Sequence, residues 1–308
     1  MTNAQQRAPR RHGRLLYVIG NGFDLHHGMA TGYKHFGAFL KRDHSKLRDY
    51  LDEYFVTDDE DWFWGHFEAC LADLDTDTLV DNFEQFIVPY SADDWSDGFH
   101  HDYVYELTRV VRALSEDLLA AFAQWIRQIA IPTPTSLMSP MARIDPTARF
   151  INFNYTNTLQ QLYGVPDTHV WHIHGSAART DPLILGHGWR PEPNETHSAH
   201  LDPERDDTRV IEGAAIIDSY FEQSFKPTQR IITENDDWFA SLADVDEVRV
   251  LGHSLSDVDL PYVAKIVGSV RPDAIWRIST FGDFDELSEQ LRKLESPPKA
   301  SFWSLPQV

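Results

Sequence analysis

Apolar residues along this chain follow two alternating patterns. Leu15-Leu16-Tyr17-Val18-Ile19 is an unbroken apolar run between Gly13 and Gly20, as expected of a β-strand covered on both faces. Ala148 to Phe153, Thr168 to Ile173, Val248 to Leu251 and Ile275 to Ser279 read as further short strands, and Leu183 to Leu185 is expected to add another. Elsewhere the apolar residues recur in steps of three and four. Phe36, Phe39 and Leu40, then Trp64, Phe67 and Leu71, then Phe83, Phe86 and Ile87 have helical spacing. The clearest stripe is Leu107, Val110, Val111, Leu114, Leu118, Phe122, Trp125 and Ile126, which predicts one long amphipathic helix.

This helical stretch, from about Tyr33 to Ile131, is too long for one crossover helix. It predicts a large helical subdomain inserted after the first strand, at about 33–145, with Pro132, Pro134, Pro140 and Pro146 marking an irregular return. Beyond it, strands alternate with helices expected at Thr158 to Tyr163, Gln229 to Leu242, Pro261 to Val270 and Asp283 to Leu294. Asp181 to Asp207, rich in Pro, Asp, Glu and His, is expected to be a loop that acts as a lid. Alternation of this kind predicts an α/β fold with a Rossmann-like parallel sheet. The expected organisation is one such domain over 14–308, preceded by a basic tail at 1–13 carrying Arg7, Arg10 and Arg11.

Composition narrows the partners. A formal net charge of -21 over 308 residues argues against a duplex nucleic-acid partner, because phosphate binding needs a basic face. Cys70 is the only cysteine, which excludes an intramolecular disulfide and a cysteine-rich zinc site. No apolar stretch approaches the ~18 residues of a membrane span, and there is no secretory signal pattern. The expected location is cytoplasmic, without membrane association.

Candidate chemistry gathers where the apolar runs end. Gly20-Asn21-Gly22-Phe23-Asp24 follows the first strand, Asn154-Tyr155-Thr156-Asn157 the second, His172-Ile173-His174-Gly175 the third and Gly252-His253-Ser254 the next. Open α/β sheets bind ligands outside the carboxyl ends of their strands. Four such clusters therefore predict one composite site suited to a nucleotide. Gly20-Asn21-Gly22 reads as either a phosphate-binding turn or a tight strand-to-helix turn. His172 and His174, two apart, are expected to share one face of a strand; with His187, His253, His26 and His27 they allow a metal site as an alternative. Asn154 offers a donor and an acceptor to a water or ribose hydroxyl, or else forms an Asx turn. Ser256, Asp257 and Asp259 read as helix caps, leaving Ser254 as the better ligand.

Together these motifs resemble the bacteriophage abortive infection AbiH family. The resemblance rests on Ile19 to Asp24 with Gly28 to Phe36, on Phe153 to Asn157, on His172 to Gly175, on Leu185 to Gly188 and on Gly252 to Tyr262. The order of motifs also resembles a diverged sirtuin-like NAD-binding fold. That resemblance implies that Gly20, Asn21, Gly22 and Phe23 hold pyrophosphate, with Asp24 as a secondary ligand contact. It implies further contacts from Thr156, Gly252, His253 and Ser254, the last on the adenosine side. Asn154 and His174 are implied as catalytic residues, His174 acting as base. The single cysteine and Thr156 in place of a carboxylate depart from sirtuin deacylases. The implied activity is hydrolysis of NAD, as substrate, to nicotinamide and ADP-ribose. A non-catalytic NAD or ADP-ribose sensor and a metal-dependent phosphodiesterase or nuclease are the alternatives. A homo-oligomer and a phage-derived trigger are further expectations.

Overall fold

The computed structural model describes residues 14–55, 57–89, 91, 97–137, 139–180, 182–280 and 284–304. The tail expected at 1–13 lies outside the described residues, as do Asp181 and Asp283, the first positions of the expected loop and final helix. Six strands form one sheet: β1 (Leu15–Ile19), β2 (Arg149–Asn152), β3 (Val170–His172), β4 (Glu247–Leu251), β5 (Ile275–Thr280) and β6 (Ala300–Ser304). Their order is β3-β2-β1-β4-β5-β6 and every pair is parallel. This is an α/β fold with a Rossmann-like sheet.

Two compact units divide the chain. The first spans Met1–Thr31, Ile126–Leu183 and Pro227–Val308 and carries the sheet. β1 lies at its centre, with Ile19 in register with Asn152 on one side and Leu251 on the other. All five β1 residues are buried, which is why the run contains no polar position. Tyr17 stacks on Phe150 at 4.9 Å, and Phe23, Leu159 and Val170 extend the same core. Each such side chain contributes about 1.5–3 kcal/mol by burial.

The second unit spans Gly32–Trp125 and Ile184–Lys226 and is helical. Phe36 is its aromatic hub, 5.4 Å from Phe122 and 5.9 Å from Phe67, both edge-on. Asp59, Asp75 and Asp207 begin three of its helices by accepting the backbone N–H of Trp62, Thr78 and Arg209. The stripe residues from Leu107 to Trp125 are all buried. Their helix is not uniform: a π-helical turn, Ala113–Asp117, joins Asp97–Arg112 to Leu118–Gln128.

Several sequence expectations change. Leu183 to Leu185 form no strand; the nearest pairing is an isolated bridge between His187 and Phe225. The helix expected over Gln229 to Leu242 is broken at Asn235 into Thr228–Glu234 and Asp236–Ala240, followed by a 3₁₀ turn. Asn235 turns its side-chain amide back onto Ile231 O at 2.8 Å, and local bonds of this kind compete with the helix. The helix Thr208–Gln223 and strand β6 were not anticipated.

Candidate functional site

The sheet reverses its strand order between β1 and β4, the place where such folds bind ligands. β1 runs into the helix Asn21–His26 with Gly20 at its N-cap, and β4 runs into Gly252, whose φ is 65°. The two turns meet backbone to backbone. Gly20 N–H donates to Leu251 O at 3.0 Å and Gly22 N–H donates to Gly252 O at 2.7 Å. A Cβ on Gly252 would lie 2.2 Å from Phe23 N, and one on Gly20 2.4 Å from His253 Cα. Glycine is therefore required here by chain-to-chain packing, and the space it leaves is taken by the opposing turn. Asn21, Gly22 and Gly252 are half-buried, Ser254 is exposed, and Phe23 belongs to the sheet core.

Behind this contact lies a buried polar knot. The Asx turn is made by Asn152, whose Oδ1 accepts the Asn154 N–H at 3.0 Å. Asn154 donates its side-chain amide to Gly20 O at 3.0 Å and also to the Asp24 carboxylate. Thr156 and Thr158 donate their hydroxyls to the same carboxylate at 2.5 and 2.7 Å. Asp24 is 1% exposed. Burial pushes its pKa up to about 6, and the Thr156, Thr158 and Asn154 donors oppose that shift. Asn154, Thr156 and Asp24 are thus bonded to one another, tying the β1 and β2 turns together.

His172 and His174 do not share a strand face. β3 stops at His172 because the chain turns over Gly175, φ 87°, closing a bond from Gly175 N–H to His172 O at 3.2 Å. His172 is spent locally: Nδ1 donates to Asn154 O at 3.1 Å and Nε2 faces the Gln160 amide at 3.1 Å. Burial lowers its pKa. His174, in the turn, is directed elsewhere. Its ring lies 5.4 Å from Phe153, 6.3 Å from Tyr155 and 5.7 Å from Tyr262. Its Nε2 is 3.6 Å from Asp259 Oδ1, and His253 Nε2 is 3.7 Å from Asp259 Oδ2. Asp259 occupies the N-cap position of the helix Leu260–Ser269, yet its side chain makes no capping bond. Instead it stands between two imidazoles, His174 2% and His253 3% exposed. Residues from the ends of β2, β3 and β4 are so brought together.

A family model described as Bacteriophage abortive infection AbiH matches residues 16–280. The chain belongs to the AbiH family. Membership indicates a role in phage abortive infection, and the matched span contains all four clusters of this AbiH protein. No curated protein sequence matches the chain.

Of the remaining candidates, His26 and His27 are engaged by other residues of the first unit. His26 meets Pro140 O at 2.9 Å, while His27 meets Phe23 O at 2.6 Å and the Tyr163 hydroxyl at 2.7 Å. His187 belongs to the second unit. There its Nε2–H donates to Ser224 Oγ at 3.1 Å, since the Ser224 hydroxyl itself donates to Tyr220 O. Burial pushes the His187 pKa down to about 4. Among the described residues, no group of three or more His, Cys, Asp or Glu side chains is arranged to hold a metal ion. Among those residues, no helix is long and apolar enough to cross a membrane. Sequence reasoning missed Thr158 and the approach of Asp259 to the histidines. The only signal for the latter was an aspartate in the segment Gly252 to Tyr262, where Asp257 is an equal choice.

Proposed function

We propose that this AbiH protein acts in phage abortive infection by hydrolysing NAD to nicotinamide and ADP-ribose, with His174 as the proton acceptor. One observation carries the reading: a buried imidazole in the turn after β3 reaches residues that follow β2 and β4, beside the strand-order reversal. Cleavage of the nicotinamide–ribose bond develops positive charge on the ribose, so a carboxylate and aromatic faces nearby favour the transition state. His174 takes a proton from the ribose or from the attacking water, a contribution of about 10²–10⁴-fold. Asn154 has its amide hydrogens engaged, so its part is to accept through Oδ1. Asn21 and Ser254 are the more accessible polar side chains for the pyrophosphate and adenosine ends. Because His174 is 2% exposed, substrate reaches it after the surrounding side chains move.

The engagement of the Asn154 side-chain amide favours a second reading, a non-catalytic sensor of NAD or ADP-ribose. Mass spectrometry of NAD after incubation with the purified protein separates the two. Nicotinamide release that disappears in His174→Ala, with NAD binding retained, supports hydrolysis. Equal inertness of parent and variant at high protein concentration defeats it, and tight ADP-ribose binding without turnover then selects the sensor.

A further inference from the structure

Asp259, expected to cap a helix, makes no side-chain capping bond, and its surroundings supply another role. Leu255 N–H donates to His253 Nδ1 at 2.9 Å. A ring nitrogen that accepts carries no proton in a neutral imidazole, so the His253 hydrogen is on Nε2. That nitrogen faces Asp259 Oδ2 at 3.7 Å, and the other carboxylate oxygen faces His174 Nε2 at 3.6 Å. Leu255 makes its bond from φ 55°, the only positive φ at a non-glycine among the described residues. A side chain with a Cβ disfavours that conformation, and such strain persists where the surroundings enforce it, characteristically at functional sites. Phe153 packs edge-on against both imidazoles, 4.2 Å from His253 and 5.4 Å from His174, and so fixes their planes.

We infer that Asp259 is a positioning residue for His174: held from one side by His253 Nε2–H, it keeps the His174 proton on Nε2 and leaves Nδ1 as the accepting nitrogen. His253 is a positioning residue in turn, since its Nδ1 is taken by the Leu255 amide. The logic is that of a carboxylate that fixes a histidine tautomer and stabilises the imidazolium when it forms, without itself being protonated. A contact of 3.6 Å is longer than a hydrogen bond; unliganded catalytic contacts are often long and tighten when substrate binds. The titratable groups that face His174 include Asp259, Tyr155 and Tyr262. Of these, the carboxylate is the one that draws a proton toward Nε2. The inference rests on the reading of His174 as a proton acceptor.

Nitrogen-15 NMR of histidine-labelled full-length protein tests it without turnover, the His174 signals being assigned by their loss in His174→Gln. The parent is expected to show His174 protonated on Nε2, and Asp259→Asn to shift it toward the other tautomer. With NAD as substrate, Asp259→Asn is expected to lose about 100-fold or more in kcat with little change in KM, and Asp259→Glu to recover part of it. A parent spectrum with the His174 proton on Nδ1 overturns the inference, and so does an unchanged His174 tautomer in Asp259→Asn. The parent spectrum alone decides if the variant does not fold. Absence of nicotinamide release from the parent defeats the hydrolase reading and leaves the tautomer result to judge Asp259 separately.

Discussion

The side-chain amide of Asn154 donates to the carbonyl of Gly20 at 3.0 Å, across 134 positions of sequence. This bond, with the one to Asp24, makes Asn154 a fastener between the β1 and β2 turns. Asn154→Ala leaves a buried carbonyl and a buried carboxylate each short of a donor, and is expected to cost about 1–3 kcal/mol. Asn154→Asp sets a second carboxylate against Asp24 and is expected to cost more at pH 7.5, the excess shrinking at pH 5 as one of the pair takes up a proton. Urea unfolding at both pH values checks the order. Equal losses for the two variants at pH 7.5 would refute it.

Gly252 and Gly28 make a controlled pair. Both have positive φ, 65° and 74°, but a Cβ at Gly252 meets Phe23 N at 2.2 Å while one at Gly28 meets nothing within 4 Å. Gly28→Ala is expected to cost about 1 kcal/mol from backbone strain alone. Gly252→Ala forces the two turns apart and is expected to cost about 3 kcal/mol or more. Thermal melts of the two variants side by side decide between this account and one based on φ alone.

Asp24 and His187 impose opposite pH dependences over one window. The folded-state pKa of Asp24 is raised from 3.8 to about 6, so its contribution to stability is full below about 3.8 and is lost as pH rises through about 6. That of His187 is lowered from 6.5 to about 4, so its contribution is full above about 6.5 and is lost as pH falls through about 4. Going from pH 7 to pH 4, the stability of the parent relative to Asp24→Asn is expected to grow. Relative to His187→Gln it is expected to shrink, each change being on the order of 3 kcal/mol. Denaturation at pH 4, 5, 6 and 7 reads both, and parallel profiles for a variant and its parent would count against the assigned group.

Lys226 and Glu68 form a buried pair at 2.8 Å in the second unit, with side-chain exposures of 0% and 13%. Removing either charge takes a close counter-charge from the other, so Lys226→Met or Glu68→Gln is expected to cost about 3–5 kcal/mol. Replacing both with apolar residues, Lys226→Met with Glu68→Leu, is expected to return to within about 1 kcal/mol of the parent. A double-mutant cycle measures the coupling; additive losses would show that the pair is not the source.

Much of the architecture was legible because it depends on local pattern. β1 could be placed since a strand covered on both faces tolerates few polar residues, and the 107–126 stripe since a half-buried helix repeats every three or four. Where local pattern is weak, the reading failed. β6 is partly exposed and mixed in composition, and Leu183 to Leu185 are apolar yet lie in irregular backbone. Spacing also misled at His172 and His174, where one left-handed glycine sends the two rings to different partners.

The sequence by itself determined the periodicities, the parallel α/β class, the family motifs and their position after strands, since each depends on residues close together in the chain. Only the tertiary structure decided which side chains meet. Strand order brings Gly252 onto Gly22, Asn154 onto Gly20 and Asp259 onto His174. Those contacts span long separations whose closure is set by the burial of the whole sheet, and no local spacing encodes them.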